Sequence, residues 1–398
     1  MDTRMVLVTM TGPDRTGIIA AVTGQIAEAG ARIRDIEQTV THTLLSLSLL
    51  IDFPTGESAR QPLIKDLLFL AKELGLDLDF QVISESEYRR KTTRNSYVVT
   101  IMGGEVNAPA LAHLSRLLAE HAANIERITK LTQGQLRCVE LLITVPPELD
   151  VRTMTRTLLQ AGAEHLVDIA VQKESLYRRA KRLVVMDMDS TLIQVEVIDE
   201  LARLAGVGSR VEEITGRAMN GELDFAAALR QRVALLRGLR EAALEEVFRQ
   251  IPFTPGAKTL VRILKRLGFR TAVISGGFTF FTDRLKDELG LDYAYANELV
   301  IADGAVTGEV RGPIVDGARK AELLEEIARR EGVTLDQVIA IGDGANDLPM
   351  LGRAGLGIAF NAKARVREQV DTHISQQGLD SILYLLGLSE REMAEIGG

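Results

Sequence analysis

A long internal repeat limits what this chain can fold into more than any other feature. MVLVTMTGPDRTGIIAAVTGQIAEAGARIRDIEQTV (5–40) lines up with YVVTIMGGEVNAPALAHLSRLLAEHAANIERITKL (97–131), with one residue of slippage in the loop. Each copy reads strand, loop, amphipathic helix, strand. Each then continues with a second strand (LLSLSLLIDF; QLRCVELLITV), a helical stretch (near 58–74; near 147–161) and a last strand (LDLDFQVIS; HLVDIAVQ). This order predicts a ferredoxin-like β-α-β-β-α-β unit used twice. Charged connectors follow the copies, ESEYRRKTTRNS (85–96) and ESLYRRAKR (174–182).

Beyond residue 182 the period changes. LVVM, TAVIS (271–275), VIAIG (338–342) and LGIAF (356–360) are short apolar runs of the kind that strands buried on both faces require. Helical stretches such as 257–267 and 319–331 separate them, so the spacing predicts a Rossmann-like α/β domain with a parallel sheet and right-handed crossovers. Residues 198–250 form a helical insert too long for a βα loop, predicted to cap the strand ends.

A chain of 398 residues with 46% hydrophobic and 26% charged residues is an ordinary multidomain globular protein. A net charge of −8 argues against nucleic acid as its partner. The single cysteine, Cys138, excludes an intrachain disulfide and is read as a strand core residue, in keeping with a reducing compartment. The most apolar stretch, LLSLSLLI, is too short to span a bilayer, and the amino terminus lacks a signal peptide's long apolar region. The expectation is a cytoplasmic protein with no membrane partner.

The polar residues gather where the apolar runs end. The first run delivers Asp187 and Asp189, and the second Ser275, Gly276 and Gly277. Lys320 opens a helix, and the third run delivers GDGAND, residues 342–347. In an open α/β sheet such ends converge on one crevice. Carboxylates suit Mg²⁺, while a hydroxyl, glycine N–H groups and a lysine can neutralise a phosphoryl group. A carboxylate there can also attack phosphorus. Each motif alone is weak; their order, one per strand end, is not.

DMDST, SGG, the lysine and GDGAND together resemble the haloacid dehalogenase-type phosphatases, from about 181 to the carboxyl terminus. Within them, DMDSTLIQVEVIDELA, GELDF, SGGF and GDGANDLPML are similar to the phosphoserine phosphatase family. The resemblance implies Mg²⁺-dependent hydrolysis of O-phospho-L-serine through an aspartyl-phosphate, the last step of serine biosynthesis. Asp187 would be nucleophile and metal ligand, and Asp189 the acid/base with its carbonyl on the metal. Asp343 would complete the ligands, with Asp347 beside the metal. Ser275, Gly276 and Lys320 would hold the phosphoryl group, with Asn346 closing that side. Glu196 would meet the substrate ammonium and Arg232 its carboxylate. Met219 and Phe225 would line the pocket from the cap.

The repeated units resemble ACT domains, which implies an amino-acid effector, here L-serine, and a homodimer. TGPDRTG (11–17), with Asp14 and Gly17, matches their ligand loop, whereas MGGEVNAPA in the second copy departs from it. The expected domains are 1–86, 95–173 and 181–398. Two other readings are a phosphatase of another small phosphomonoester and an amino-acid-binding regulator with an incidental core. Glu196 and Arg232 oppose the first, because a neutral polyol needs neither. The full catalytic set opposes the second. No GxxxxGK[ST] loop is present.

Overall fold

Alternation builds the first unit. Strand β3 (Leu44–Asp52) buries Leu45, Leu47, Leu49 and Ile51 on one face, and Ser46 and Ser48 point to the other. A slip of one residue would bring the serines into the core, so the pattern fixes the register. The computed structural model describes residues 4–52, 60–84, 95–375 and 378–397, without the side chains of Arg4, Arg60, Gln61 and Met219. The chain divides into two compact units, Met1–Arg94 and Asn95–Gly398.

In the first unit, β1 (Arg4–Pro13), β2 (Arg32–Thr41), β3 and β4 (Asp77–Ser84) form an antiparallel sheet in the order β2-β3-β1-β4. Helices Ile18–Glu28 and Arg60–Leu74 cover one face and close a core of Val6, Val8, Met10, Val22, Ile26 and Leu67.

The second unit opens with the same topology. Strands β5 (Asn95–Gly103), β6 (Asn124–Lys130), β7 (Cys138–Val145) and β8 (Val167–Lys173) are ordered β6-β7-β5-β8 beneath helices Ala108–Glu120 and Val151–Glu164. Asn95 and Ser96, read from sequence as the end of a connector, start β5; the rest of that connector, 85–94, lies outside the described residues.

The remaining sheet has the order β12-β11-β10-β9-β13-β14-β15, with β9 (Leu183–Met186) at its centre. Its other strands are β10 (Arg270–Phe278), β11 (Tyr293–Ala302), β12 (Ala305–Arg311), β13 (Val338–Gly342), β14 (Leu356–Phe360) and β15 (His373–Ile374). All pairings are parallel except β11 with β12, an antiparallel hairpin at the edge, so the sheet is mixed. Strands β11, β12 and β15 were not read from the sequence. The hairpin is largely half-exposed and not continuously apolar, and β15 is two residues long. The order matters for chemistry, because it sets β10 and β13 on either side of β9.

Helices Val197–Leu204, Gly208–Met219, Phe225–Leu235 and Glu241–Gln250 make the cap. Its two connections cross as a short ladder, with Gln194 N donating to Pro252 O at 3.0 Å and Thr254 N to Leu192 O at 3.0 Å. A second tie joins it to the β11–β12 turn, where Gly238 N donates to Val306 O at 2.8 Å and Glu241 N to Gly304 O at 2.9 Å.

The second β-α-β-β-α-β domain does not stand apart from this sheet. Met102, Leu131, Cys138 and Ala170 belong to the same apolar core as Val184, Met186 and Ile339. Burial in that core pushes the Cys138 thiol up to about 12, leaving it an inert core residue. Ala170 of β8 pairs with Thr372 beside β15, and Asp168 accepts hydrogen bonds from Ser375 N (2.8 Å) and Oγ (2.9 Å). Among the described residues no helix is long and apolar enough to cross a membrane.

Candidate active site

Asp187 follows β9 directly, is 5% exposed, and takes Met188 N on Oδ1 at 2.8 Å. From β13 the chain turns through Gly342 into Asp343 and the tight turn Ala345–Asp347. Asp187, Asp343 and Asp347 each offer an oxygen, all within 4.8 Å of one another. Lys320, fully buried in helix Gly317–Arg330, donates to Asp187 Oδ1 at 2.8 Å and to Asp347 Oδ1 at 2.7 Å. Gly344 N donates to Asp347 Oδ2 at 2.9 Å and Thr191 Oγ1 to Asp343 Oδ1 at 3.1 Å.

One lysine against three carboxylates leaves negative charge in excess. Burial, then Asp347, lift the Asp187 carboxyl well above its ordinary value, with Lys320 opposing. Burial, then Asp347 and Glu196, push Asp343 up to about 7. Lys320 moves upward too, since its two carboxylates outweigh the burial that disfavours its charge. A hard divalent cation would offset the excess, and clustered carboxylate oxygens are its natural donors. The donor set therefore fits a metal of that kind.

Asp189 lies beside this cluster. Its Oδ1 accepts Val197 N at 3.1 Å, at the start of the first cap helix, and its Oδ2 accepts Ser275 Oγ at 3.4 Å. Burial, then Glu196 and Asp187, raise its carboxyl well above the ordinary range. That direction favours its protonated form.

Ser275 is fully buried at the end of β10, with Gly277 N donating to its Oγ at 2.8 Å. Gly276 is covered by Phe225 from the cap; a Cβ there would lie 2.8 Å from Phe225 Cζ, so a larger residue would have to displace that ring. Asn346 is half-buried, its backbone packed against Gly317 at the head of the Lys320 helix. Sequence reasoning missed Asn297. This buried amide donates to Gly276 O at 2.8 Å and accepts Val315 N at 2.8 Å, tying the last residues of β10 to the segment leading to Lys320. It sits in a strand that carried no motif.

Above the cluster, Ser190 Oγ donates to Glu196 Oε1 at 2.9 Å. Arg232, from cap helix Phe225–Leu235, donates through Nη1 to Thr215 Oγ1 at 3.4 Å, while its buried Nε has no partner among the described residues. Burial lowers the guanidinium, opposed by the charges of Asp199, Glu196 and Asp189. Met219 ends helix Gly208–Met219, and its side chain lies outside the described residues.

In the first unit a cavity of about 380 Å³ is lined by Asp14, Arg15, Gly17, Ile18, Gln38 and Leu45. Helix Ile18–Glu28 begins there with no side-chain cap, Gly17 standing at φ 94°. The equivalent helix Ala108–Glu120 is closed by its own residue, Asn107, whose side chain accepts Ala110 N at 3.0 Å.

The haloacid dehalogenase-like hydrolase family matches residues 184–352, and ACT domain families match 4–81 and 95–172. A phosphoserine phosphatase of Streptomyces coelicolor is 44% identical over 98% of this chain and 94% of its own length. One from Mycobacterium tuberculosis is 40% identical over the same shares. Among solved structures, a haloacid dehalogenase family hydrolase from Salmonella enterica serovar Typhi is similar with TM-score 0.64 and 32% identity, over 73% of this chain and 98% of its own. A probable phosphoserine phosphatase from Vibrio cholerae gives 0.58 and 34%, over 75% and 88%. Near full-length identity of this degree, on a fold with acidic and basic residues gathered at the same strand ends, has one meaning: the chain belongs to the phosphoserine phosphatase family of haloacid dehalogenase-like hydrolases and carries two ACT domains ahead of its catalytic domain.

Proposed function

We propose that this chain hydrolyses O-phospho-L-serine to L-serine and phosphate, with Asp187 as nucleophile. The observation that carries the substrate choice is the buried Nε of Arg232, without a partner among the described residues, on a guanidinium that feels the Glu196 charge. A buried donor without a partner is costly, and a carboxylate would satisfy it bidentately. Glu196 supplies the opposite charge for the ammonium. Mg²⁺ held by Asp187, Asp343 and the Asp189 carbonyl, with Asp347 alongside, would supply charge neutralisation at the phosphoryl oxygens.

The chain's own residues do the rest. Asp187 presents Oδ2 to phosphorus while Lys320 and Met188 N hold Oδ1. The phosphorus–seryl oxygen bond breaks as the phosphorus–Asp187 bond forms, and Asp189 gives its proton to the departing seryl oxygen. Ser275, Gly276, Lys320 and Asn346 hold the phosphoryl oxygens. Asp189, now a carboxylate, then takes a proton from the water that attacks the acyl-phosphate, releasing phosphate and restoring Asp187.

The test compares phosphoserine with an aryl phosphate that has no carboxylate, in Mg²⁺ and again in EDTA. Arg232→Ala should lower kcat/KM for phosphoserine about 10- to 100-fold, as for a lost charge-assisted contact, and barely touch the aryl ester. Equal losses on both would assign Arg232 to cap support instead. EDTA should stop both reactions.

The uncapped helix in the first ACT domain supports a further reading: free L-serine binds there, its carboxylate on the helix N-terminus and its ammonium near Asp14. In the second copy the Asn107 side chain already takes up the corresponding helix start. Gly17→Val forces a β-branched residue to φ 94°, so it should remove any non-competitive response to serine while leaving competition at the catalytic pocket. A chain beginning at Asn95 should do the same. If serine acts on all three by pure competition, this effector role falls; a functional dimer would then be the remaining task of the first unit.

A further inference from the structure

The parallel ladder between β10 and β11 breaks at the residues proposed to hold the phosphoryl group. Ala272, Val273 and Ile274 pair with Tyr293, Ala294 and Tyr295, and pairing resumes at Phe278 with Asn297, so β10 advances four residues where β11 advances two. Bulges of this kind re-aim groups beside active sites. Ser275, Gly276 and Gly277 are left out of the pairing with β11, and a side chain bridges the gap. Asn297 is 1% exposed; its Nδ2 donates to Gly276 O and its Oδ1 accepts from Val315 N, both at 2.8 Å. Turned over, the amide would set donor against donor and acceptor against acceptor, so its orientation is fixed.

Val315 leads straight into the helix that carries Lys320. The next residue, Asp316, caps helix Gly317–Arg330 by accepting Arg319 N at 2.9 Å, and its carbonyl accepts Lys320 N at 2.8 Å. Gly317 lies against Asn346, where an added Cβ would come within 2.7 Å of Asn346 O. One amide thus spans the strand end bearing Ser275 and Gly276 and the helix start bearing Lys320, with Asn346 packed on the latter. Glu196 and Arg232 belong instead to the cap, at the start of helix Val197–Leu204 and within helix Phe225–Leu235. We propose that Asn297 is a positioning residue for the phosphoryl half of the substrate: it sets the spacing between Gly276 and Lys320 and leaves the amino-acid half to the cap. This role depends on Ser275, Gly276 and Lys320 holding phosphoryl oxygens, as proposed above. Spacing matters there, because a shift of about 1 Å at a reacting group can cost roughly 10²-fold in rate.

Product inhibition of phosphoserine turnover by the full-length protein in Mg²⁺ tests this. Inorganic phosphate reads one half of the pocket, and the competitive component of L-serine inhibition reads the other. Asn297→Leu keeps the branched shape without either hydrogen bond, and Asn297→Ala leaves room for water. In both, the inhibition constant for phosphate should rise about tenfold or more, while that for serine stays within about twofold. Equal weakening of the two products, or an unchanged phosphate constant, overturns the proposal. Ser275→Ala, run alongside, separates it from the phosphoryl assignment itself. If Ser275→Ala weakens phosphate and the Asn297 variants do not, only the positioning role falls; if Ser275→Ala also leaves phosphate unchanged, the assignment falls with it. Deuterium exchange on the native protein needs no variant to fold: phosphate should slow uptake at 275–278 and 313–317 together, and slowing at one segment alone overturns the coupling.

Discussion

Asp187→Asn should release no phosphate from phosphoserine at steady state, a loss of roughly 10⁴-fold or more, the scale seen when a covalent nucleophile is removed. The amide is nearly isosteric but too poor a nucleophile to form an acyl-phosphate. The fold should survive. Asp187 is one of three carboxylates crowded within 4.8 Å, and removing its charge leaves the 2.7 Å pair between Lys320 and Asp347 intact. In metal-free buffer the variant should therefore melt no lower than the native protein, because a repulsion is relieved. Turnover that persists after mass spectrometry has excluded deamidation back to aspartate would remove Asp187 from the nucleophile's role.

Lys320→Met should damage both stability and rate. Its ammonium is fully buried and is the cation on Asp187 and Asp347. Deleting one partner of a buried ion pair leaves an uncompensated charge and costs about 3–5 kcal/mol. Here two carboxylates lose their partner together, so the denaturant midpoint should fall clearly in metal-free buffer. Divalent metal should restore part of the loss, since it neutralises the same oxygens. Turnover should drop by roughly 10²–10³-fold in saturating metal, as for the loss of a preorganised donor to developing charge. A midpoint unchanged without metal would mean that the cluster protonates rather than relying on Lys320.

Sequence reading anticipated the cluster of Asp187, Asp343 and Asp347 because these residues sit at the ends of strands with simple signatures. LVVM and VIAIG are uniformly apolar, and each is followed at once by chemistry, Asp187 in one case and GDGAND in the other. Lys320 was read into the constellation from its place at a helix start, but its burial was not legible, since nothing in GARKAELL separates a fully buried lysine from a solvated one. Asn297 and Thr215 were invisible for a different reason. They act on Gly276 and Arg232 across the fold, and local pattern does not record such contacts. The β11–β12 hairpin escaped because a largely half-exposed edge needs no regular hydrophobic period. The contrast between the two ACT helices lay in plain sight as Gly17 and Asn107, but only the observed bond from Ala110 N showed that one helix start is capped and the other is not.

The pairing of Ala170 with Thr372 also separates the histories of the two ACT copies. In the second copy, Asp168, Ala170 and Gln172 each contact the catalytic domain, with Gln172 Nε2 donating to Leu385 O at 3.1 Å. Mutation at these positions answers to the needs of the enzyme core. In the first copy the corresponding strand keeps Phe80 and Val82 about half exposed. Duplicated domains begin as interchangeable parts, but these two no longer are. One of them shares its core with the hydrolase.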